Sequence, residues 1–372
     1  MARKLKSDRI LFTATLLLVC ASVVMVYSAS VVVAAERFGQ PNLFLTKQAL
    51  WIVLGLAGLA LAMRIDYRIY KNDRFVWAVL GLVGVMLVAV LFSDPINGAR
   101  RWFNVGGLGI QPSELAKLAV VLFAALILER RMHRIDEVRY SLLPLGIVVG
   151  LLCGLILLEP DAGTAGALAA LVAVMVFAAG LNYRYVAAAL LAAVPAIYVV
   201  VISAPYRLAR WHAFIDPYAD PRGDGFQAVQ SFIAVGTGGV FGRGLMQGVQ
   251  KMFFLPEPHT DFIFAVIGEE LGLLGTTAVL VCFCVIGWRG LRIAIRAEDA
   301  FGSFIAIGLT TMICLQALAN MSVVIGLLPT KGIPLPLVSA GGSSLLVCLV
   351  SVGVLLNVSQ HEMSESRAVV RG

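Results

Sequence analysis

The stretch LPEPHTDFIFAVIGEELG, residues 255–272, sets four carboxylates (Glu257, Asp261, Glu269 and Glu270) and His259 in and just before an apolar run that otherwise reads as a membrane helix. An ionised side chain facing lipid at the centre of a span costs about 2.5–3.5 kcal/mol, so these acids must line a polar cavity or meet partners. Pro256 and Pro258 keep Glu257 and His259 out of a helix, which puts the helix start near Thr260 or Asp261. Asp261 then sits at the membrane boundary, where it either caps the helix or serves as an acid–base group. Glu269 lies close to the same face about 12 Å deeper, and Glu270 is turned by roughly 100°. Both read as polar supports.

Cations gather on the same side of the membrane. Arg100, Arg101, Lys117, Arg207, Arg210, Arg243, Lys251 and Lys331 all fall on or near it. Any one of them suits lipid head-group anchoring, but their spread over several loops suits a bound phosphate or pyrophosphate, with Arg making forked contacts and Lys acting as a point charge. In GARRWFNVGGLGIQPSELAKLAVVLF, Glu114 and Lys117 share a helix face and can pair near interface depth, while Pro112 and Glu114 also suit a first helical turn. In LLEPDAGTAGALAA, Glu159 and Asp161 occupy a tight turn between spans, where Asp161 is either a helix cap or a site residue. SFIAVGTGGVFGRGLM is glycine-rich but fits no phosphate-loop or dinucleotide pattern, and it reads as a flexible turn. LLPTKGIPLPLVSAGGSSLL is irregular at its prolines, which a membrane tolerates only beside a cavity or inside protein; close packing of small residues explains its Gly-Gly-Ser-Ser step equally well. One histidine among scattered carboxylates makes no metal-ligand set and admits at most a hard divalent ion such as Mg or Mn.

The elements that carry these residues follow from composition. Of 372 residues, 60% are apolar and 14% charged, with a mean hydropathy of +0.91, which excludes an ordinary soluble fold. Segments such as TAVLVCFCVIGW are apolar on every face, so the chain is all-α and polytopic rather than a barrel of alternating strands. Ten transmembrane helices are expected near residues 10–33, 45–63, 75–92, 113–128, 142–158, 162–180, 185–203, 262–288, 300–326 and 335–357. The first apolar run is too long for a cleaved leader and reads as a retained span. Most of the 29 Lys and Arg fall on one side when both termini are cytoplasmic, which selects that orientation. The long extracytoplasmic loop between helices 7 and 8, residues 204–261, then carries part of the site within a single transmembrane domain spanning 1–372. The six cysteines lie in apolar runs as small core residues. The basic residues cluster at helix ends, which speaks for membrane lipid and against nucleic acid.

NGARRWFNVGGLGIQPSELAKL, EPDAGTA, FIDPYADPRGDGFQAVQS, LPEPHTDFIFAVIGEELG and LPTKGIPLPLVSAGGSSLL occur in an order that resembles the SEDS (shape, elongation, division and sporulation) family of bacterial cell-wall proteins, FtsW and RodA among them. NGARRW, VQKMFFLPEPHTDFIF and LPTKG are nearer the FtsW pattern; Ala340 departs from the aromatic residue often found before Gly-Gly-Ser-Ser. The resemblance implies a multi-pass protein of the bacterial cytoplasmic membrane. It implies a peptidoglycan glycosyltransferase that polymerises lipid II on the outer face, partnered by a class B penicillin-binding protein (a transpeptidase) and by other division or elongation proteins. It places the family's essential aspartate on Asp261 as the catalytic base. Arg100, Arg101, Trp102, Glu114, Lys117, Asp161, Arg210, Glu257, His259 and Lys331 form the candidate substrate-binding set. No cofactor is required, although a divalent cation bridging a carboxylate and pyrophosphate is compatible by charge. Two rival readings are a lipid II flippase, which would need polar residues through the inner half, and a non-catalytic scaffold, which would not need the ring of cations.

Overall fold

The computed structural model describes residues 7–95, 99–106 and 108–361. Met1–Lys6, Asn97 and Gly98 of NGARRW, and the tail after His361 lie outside the described residues, so the expected placement of those terminal charges does too. The chain forms α1 (Arg9–Phe38), α2 (Leu43–Arg64), α3 (Asp73–Val90), a short antiparallel hairpin of β1 (Phe103–Val105) and β2 (Leu108–Ile110), α4 (Pro112–Arg131), α5 (Leu143–Leu158), α6 (Ala162–Ala178), α7 (Tyr183–Ile202), α8 (Pro205–Ile215), α9 (Phe226–Gly238), α10 (Ile263–Arg296), α11 (Ala300–Val324) and α12 (Gly342–Ser359).

Every segment expected to span is helical over most of its length. Among the described residues, eight helices are long and apolar enough to cross a membrane: α1, α2, α3, α5 with the turn before it, α7, α10, α11 and α12. The two others differ for plain reasons. α6 has 17 residues, and α4 carries Glu114 and Lys117 near its start and Glu129, Arg130 and Arg131 at its end. The last helix begins at Gly342 rather than near 335, because the chain turns first: Ser339 N donates to the Leu335 carbonyl at 2.9 Å and Leu337 has φ 62°. The long connection before α10 is not featureless, since it holds α8 and α9.

Small residues set the helix packing. A Cβ added at Gly55 of α2 would lie 2.4 Å from Leu349 Cδ1 of α12, and one at Gly353 would lie 2.6 Å from the Leu59 carbonyl oxygen. Apolar side chains gain little by leaving lipid for each other, so such close approach and its dispersion contacts hold membrane helices together. α12, α11 and α4 are largely buried, whereas among the described residues none of the α7 apolar window is. Cys348 alone of the six cysteines is buried; Cys20 and Cys284 are exposed and the other three are half-buried, which corrects their reading as core residues.

The glycine-rich stretch is also corrected. Its first part completes α9, and the residues after that helix form a backbone clasp on α10: Arg243 N donates to the Glu269 carbonyl at 3.0 Å, Gly244 N to the Glu270 carbonyl at 3.0 Å, and Leu273 N to the Gly239 carbonyl at 2.9 Å. α10 breaks there, at Gly272 with φ 65° and ψ −160°, a region that only glycine occupies freely. A Cβ on Gly272 would come within 2.3 Å of Gly242 N.

At the other end of the bundle, Arg289 Nε donates to Asp8 Oδ2 at 2.7 Å, Asp8 N donates to Ser359 Oγ at 3.1 Å, and Tyr67 Oη donates to Asp299 Oδ1 at 2.8 Å. The first and last described helices are thereby tied together far from Asp261.

Candidate active site

Asp261 lies two residues before α10. The helix does not start earlier because side chains from elsewhere take the carbonyls that would begin it. Asn320 Nδ2 of α11 donates to the Asp261 carbonyl at 2.7 Å and to the Ile333 carbonyl at 2.7 Å, and Ser339 Oγ donates to the Thr260 carbonyl at 2.5 Å. Ala340 N donates to the His259 carbonyl at 2.9 Å, a backbone contact that does not depend on the side chain at 340. The segments before α10 and before α12 are thus sewn into one wall.

The Asp261 side chain keeps an opening to solvent and faces charge from three other segments. A Cβ on Gly332 would lie 2.9 Å from Asp261 Oδ2 and 3.9 Å from Arg101 Nη2, so backbone without a side chain leaves room for both groups. Burial pushes the Asp261 carboxyl up to about 7; Glu257 and Asp161 add to this, and Arg101 and Arg210 oppose it. A carboxyl poised near neutrality suits general-base work.

Asp161 caps α6, accepting from Thr164 N at 3.0 Å and from Thr164 Oγ1 at 2.8 Å. It is also a site residue by position: its Oδ2 accepts from Gln111 Nε2 at 3.3 Å and stands 3.9 Å from Arg101 Nη1. Lys331 reaches the same place, since a Cβ on Gly163 would meet Lys331 Cδ at 3.3 Å and Asp161 Oδ1 at 3.5 Å. α8 brings Arg210, whose Nη1 donates to the Thr330 carbonyl at 3.5 Å. The cluster is therefore Asp261, Asp161, Arg101, Arg210 and Lys331, with Glu257 exposed at its edge.

A small cavity lies in the bundle between α4, α6 and α11, next to the Gly332 that adjoins Asp261; Gln111, Glu114, Lys117, Thr164, Gln316 and Gly332 line it. Lys117 Nζ donates to Glu114 Oε1 at 2.8 Å and to Gln316 Oε1, and all three groups are buried. A buried ion pair is weak evidence for stability, because its desolvation offsets its attraction. Placed on a cavity wall, it suits polar ligand contact.

The sequence of this chain matches the profile of the FtsW/RodA/SpoVE family, described as a cell cycle protein, over residues 8–364. The chain belongs to that family. It is 43% identical over 353 residues to the probable peptidoglycan glycosyltransferase FtsW of Geobacter sp. (strain M18), covering 95% of this chain and 96% of that one. It is 42% identical over 361 residues to stage V sporulation protein E of Bacillus subtilis (strain 168), covering 96% and 98%. Among solved structures, it resembles a chain from a study of how a peptidoglycan synthase complex coordinates polymerization and crosslinking, with a TM-score of 0.78, 29% identity and coverage of 95% and 98%. It also resembles the rod shape determining protein RodA of Thermus thermophilus, with a TM-score of 0.71, 26% identity and coverage of 97% and 99%. The fold is accordingly the polytopic helical bundle of FtsW, RodA and SpoVE.

Within this family member, three candidates stand apart from the cluster. Arg100 donates to the Leu91 carbonyl at 3.2 Å and is exposed, and Trp102 packs over Gly109 of the hairpin. The buried His259 ring lies 4.3 Å from that of Phe44, and burial chiefly, helped by Arg37 and opposed by Glu257, lowers its proton affinity. Lys251, counted among cations awaiting an anion, is buried against Glu270 at 2.6 Å and Ser28 at 2.8 Å, so its charge is already matched. Gln316 and Asn320 did not enter the reading of the sequence. Two amides four apart on one face of an otherwise apolar helix are a signal that points to them. Gln111, Thr164 and Gly332 carry no such mark.

Among the described residues, no group of three or more His, Cys, Asp or Glu side chains is placed to hold a metal ion. Asp161 already accepts from Thr164 and Gln111.

Proposed function

We propose that this chain is a peptidoglycan glycosyltransferase that polymerises lipid II, the undecaprenyl-pyrophosphate-linked disaccharide pentapeptide. The observation that carries this reading is Asp261, a half-buried carboxyl near neutrality that faces Arg101 and Arg210, with Lys331 beside the neighbouring Asp161 and a polar-lined cavity next to Gly332. The acceptor's sugar hydroxyl attacks the donor's anomeric carbon. Asp261 takes the hydroxyl proton, the bond from anomeric carbon to pyrophosphate oxygen breaks, and undecaprenyl pyrophosphate leaves with the electron pair, inverting the carbon. The cations stabilise the leaving pyrophosphate. A divalent cation enters this reading only as a counter-ion brought with that pyrophosphate.

In this reading the Asp261 end faces outward and both termini are cytoplasmic, which the distribution of Lys and Arg supports. The whole chain acts as one transmembrane domain, with the charged α4 and the shorter α6 as its two remaining spans. A class B penicillin-binding protein is the proposed partner, supported by the likeness to a chain of a peptidoglycan synthase complex, and the higher identity to FtsW than to RodA supports a role in division.

The test is to incubate purified protein with lipid II, with and without the transpeptidase, and to look for glycan polymer, using folded Asp261→Asn and Asp261→Ala as controls. Polymer from the native chain alone is expected. Translocation of labelled lipid II in vesicles without polymer supports a flippase instead, and native-like polymer from either variant removes Asp261 from the chemistry.

A further inference from the structure

Glu159 ends α5 in the turn before Asp161. It is fully buried, and among the described residues neither carboxyl oxygen has a hydrogen-bond partner. The turn cannot simply swing it out, since Glu159 N donates to the Ile156 carbonyl at 3.1 Å, Asp161 N donates to the same oxygen at 3.2 Å, and Tyr206 Oη reaches the Pro160 carbonyl at 3.4 Å. The charged groups that bear on Glu159 are Asp161, from the start of α6, and Arg101, from the segment before the hairpin. Arg101 is incomplete in the complementary sense: its Nε is buried without a partner, and Nη1 stands 3.9 Å from Asp161 Oδ2. A guanidinium beside an ionised, buried carboxylate forms a forked pair. Here that pair is not made, although a donor on one side and two acceptors on the other go unused.

We propose that Glu159 is a positioning residue that decides whether Arg101 is free to meet an anionic substrate. While Glu159 carries its proton it has no claim on the guanidinium, which then turns toward a phosphate-bearing ligand at the Asp261 cluster. When Glu159 ionises in its buried turn, the cheapest relief for the charge is to capture Arg101, and the cluster loses a phosphate contact. Burial, with Asp161 adding and Arg101 opposing, pushes Glu159 up to about 8, so capture belongs to the alkaline side. Glu159 touches no reacting atom. The role rests on the transferase reading for its consequence in turnover, but not for its effect on anion binding.

The experiment compares native protein with Glu159→Gln, which keeps the shape and cannot ionise, after thermal unfolding and gel filtration show both folded. Polymerisation of lipid II is measured at about pH 7 and about pH 9, and the ratio of the alkaline to the neutral rate is expected to be at least about threefold higher in Glu159→Gln. Equal ratios overturn the proposal. Should Glu159→Gln not fold, affinity for inorganic pyrophosphate is measured in an Asp261→Asn, Lys331→Arg background, which removes the two neighbouring groups of the cluster that also titrate. Weakening by at least about threefold between the two pH values is expected, against the growing charge of pyrophosphate itself; constant or tighter binding overturns the proposal. If the doubly substituted chain binds pyrophosphate in this pH-dependent way while the native chain makes no polymer under any condition, the positioning role stands and the glycosyltransferase reading falls.

Discussion

One stretch of 18 residues, 255–272, holds two sets of acids that the fold treats in opposite ways. Glu269 and Glu270 are fully buried and fully answered. Glu269 accepts from Val249 N at 2.8 Å and Gln250 N at 3.1 Å, while Glu270 accepts from Ser28 Oγ at 2.7 Å, Met246 N at 2.9 Å and Lys251 Nζ at 2.6 Å. The Asp261 carboxyl has no such set of donors and looks instead across a gap at Arg101 and Gly332. The difference teaches what each set is for. Acids whose two oxygens both accept hydrogen bonds cannot change partner without opening the clasp, whereas an acid held by its backbone, with an open carboxyl, is ready for a proton.

Substitution at Asp261 should break the comparison most sharply. Asp261→Asn keeps the size and removes the base, so lipid II polymerisation should fall by about 10²–10⁴-fold while the melting temperature does not fall, as a glycan-chain assay beside a thermal scan will record. The buried set should respond in reverse. Lys251→Met leaves Glu270 charged without its cation, which costs about 3–5 kcal/mol of stability, read by unfolding in detergent, while the protein that remains folded keeps its turnover. Gly272→Ala forces a side chain into a backbone region that disfavours it, and a loss of about 1–3 kcal/mol is expected from the same measurement.

The smallest effect is on pH dependence, and its sign differs for rate and stability. Asp261 is raised from an ordinary 3.8 to about 7, so the base form grows as pH passes 7 and the rate should climb through that pH before the alkaline fall set by Glu159. The folded state holds this proton more tightly than the unfolded chain. Its contribution to stability is therefore complete below about 3.8 and is lost as pH rises through about 7. A pH–rate profile and a pH series of melting curves should slope in opposite directions there, and Asp261→Asn should flatten this part of both.

Much of the fold was legible because hydropathy and proline act locally. A membrane helix declares itself by an apolar run, and Pro256 and Pro258 do keep Glu257 and His259 out of α10. The helix start was misplaced by two residues because it depends on Asn320 and Ser339, donors far along the chain. The glycine-rich stretch read as loose because glycines are permissive in isolation. Their fixed conformation comes from carbonyls of α10 that only the folded chain brings to them. Lys251 read as a free cation for the same reason, since Glu270 and Ser28 reach it only through the clasp and α1.

By itself the sequence determined that this chain crosses a membrane many times and that Asp261 stands just before a long apolar helix, because each follows from residue type and local spacing. The tertiary structure alone decided which charges answer one another. It paired Lys251 with Glu270, set Arg101 between Asp161 and Asp261, and left Glu159 buried without a partner. Burial and distance govern an ionisable group's state, and neither exists until helices distant in sequence have packed.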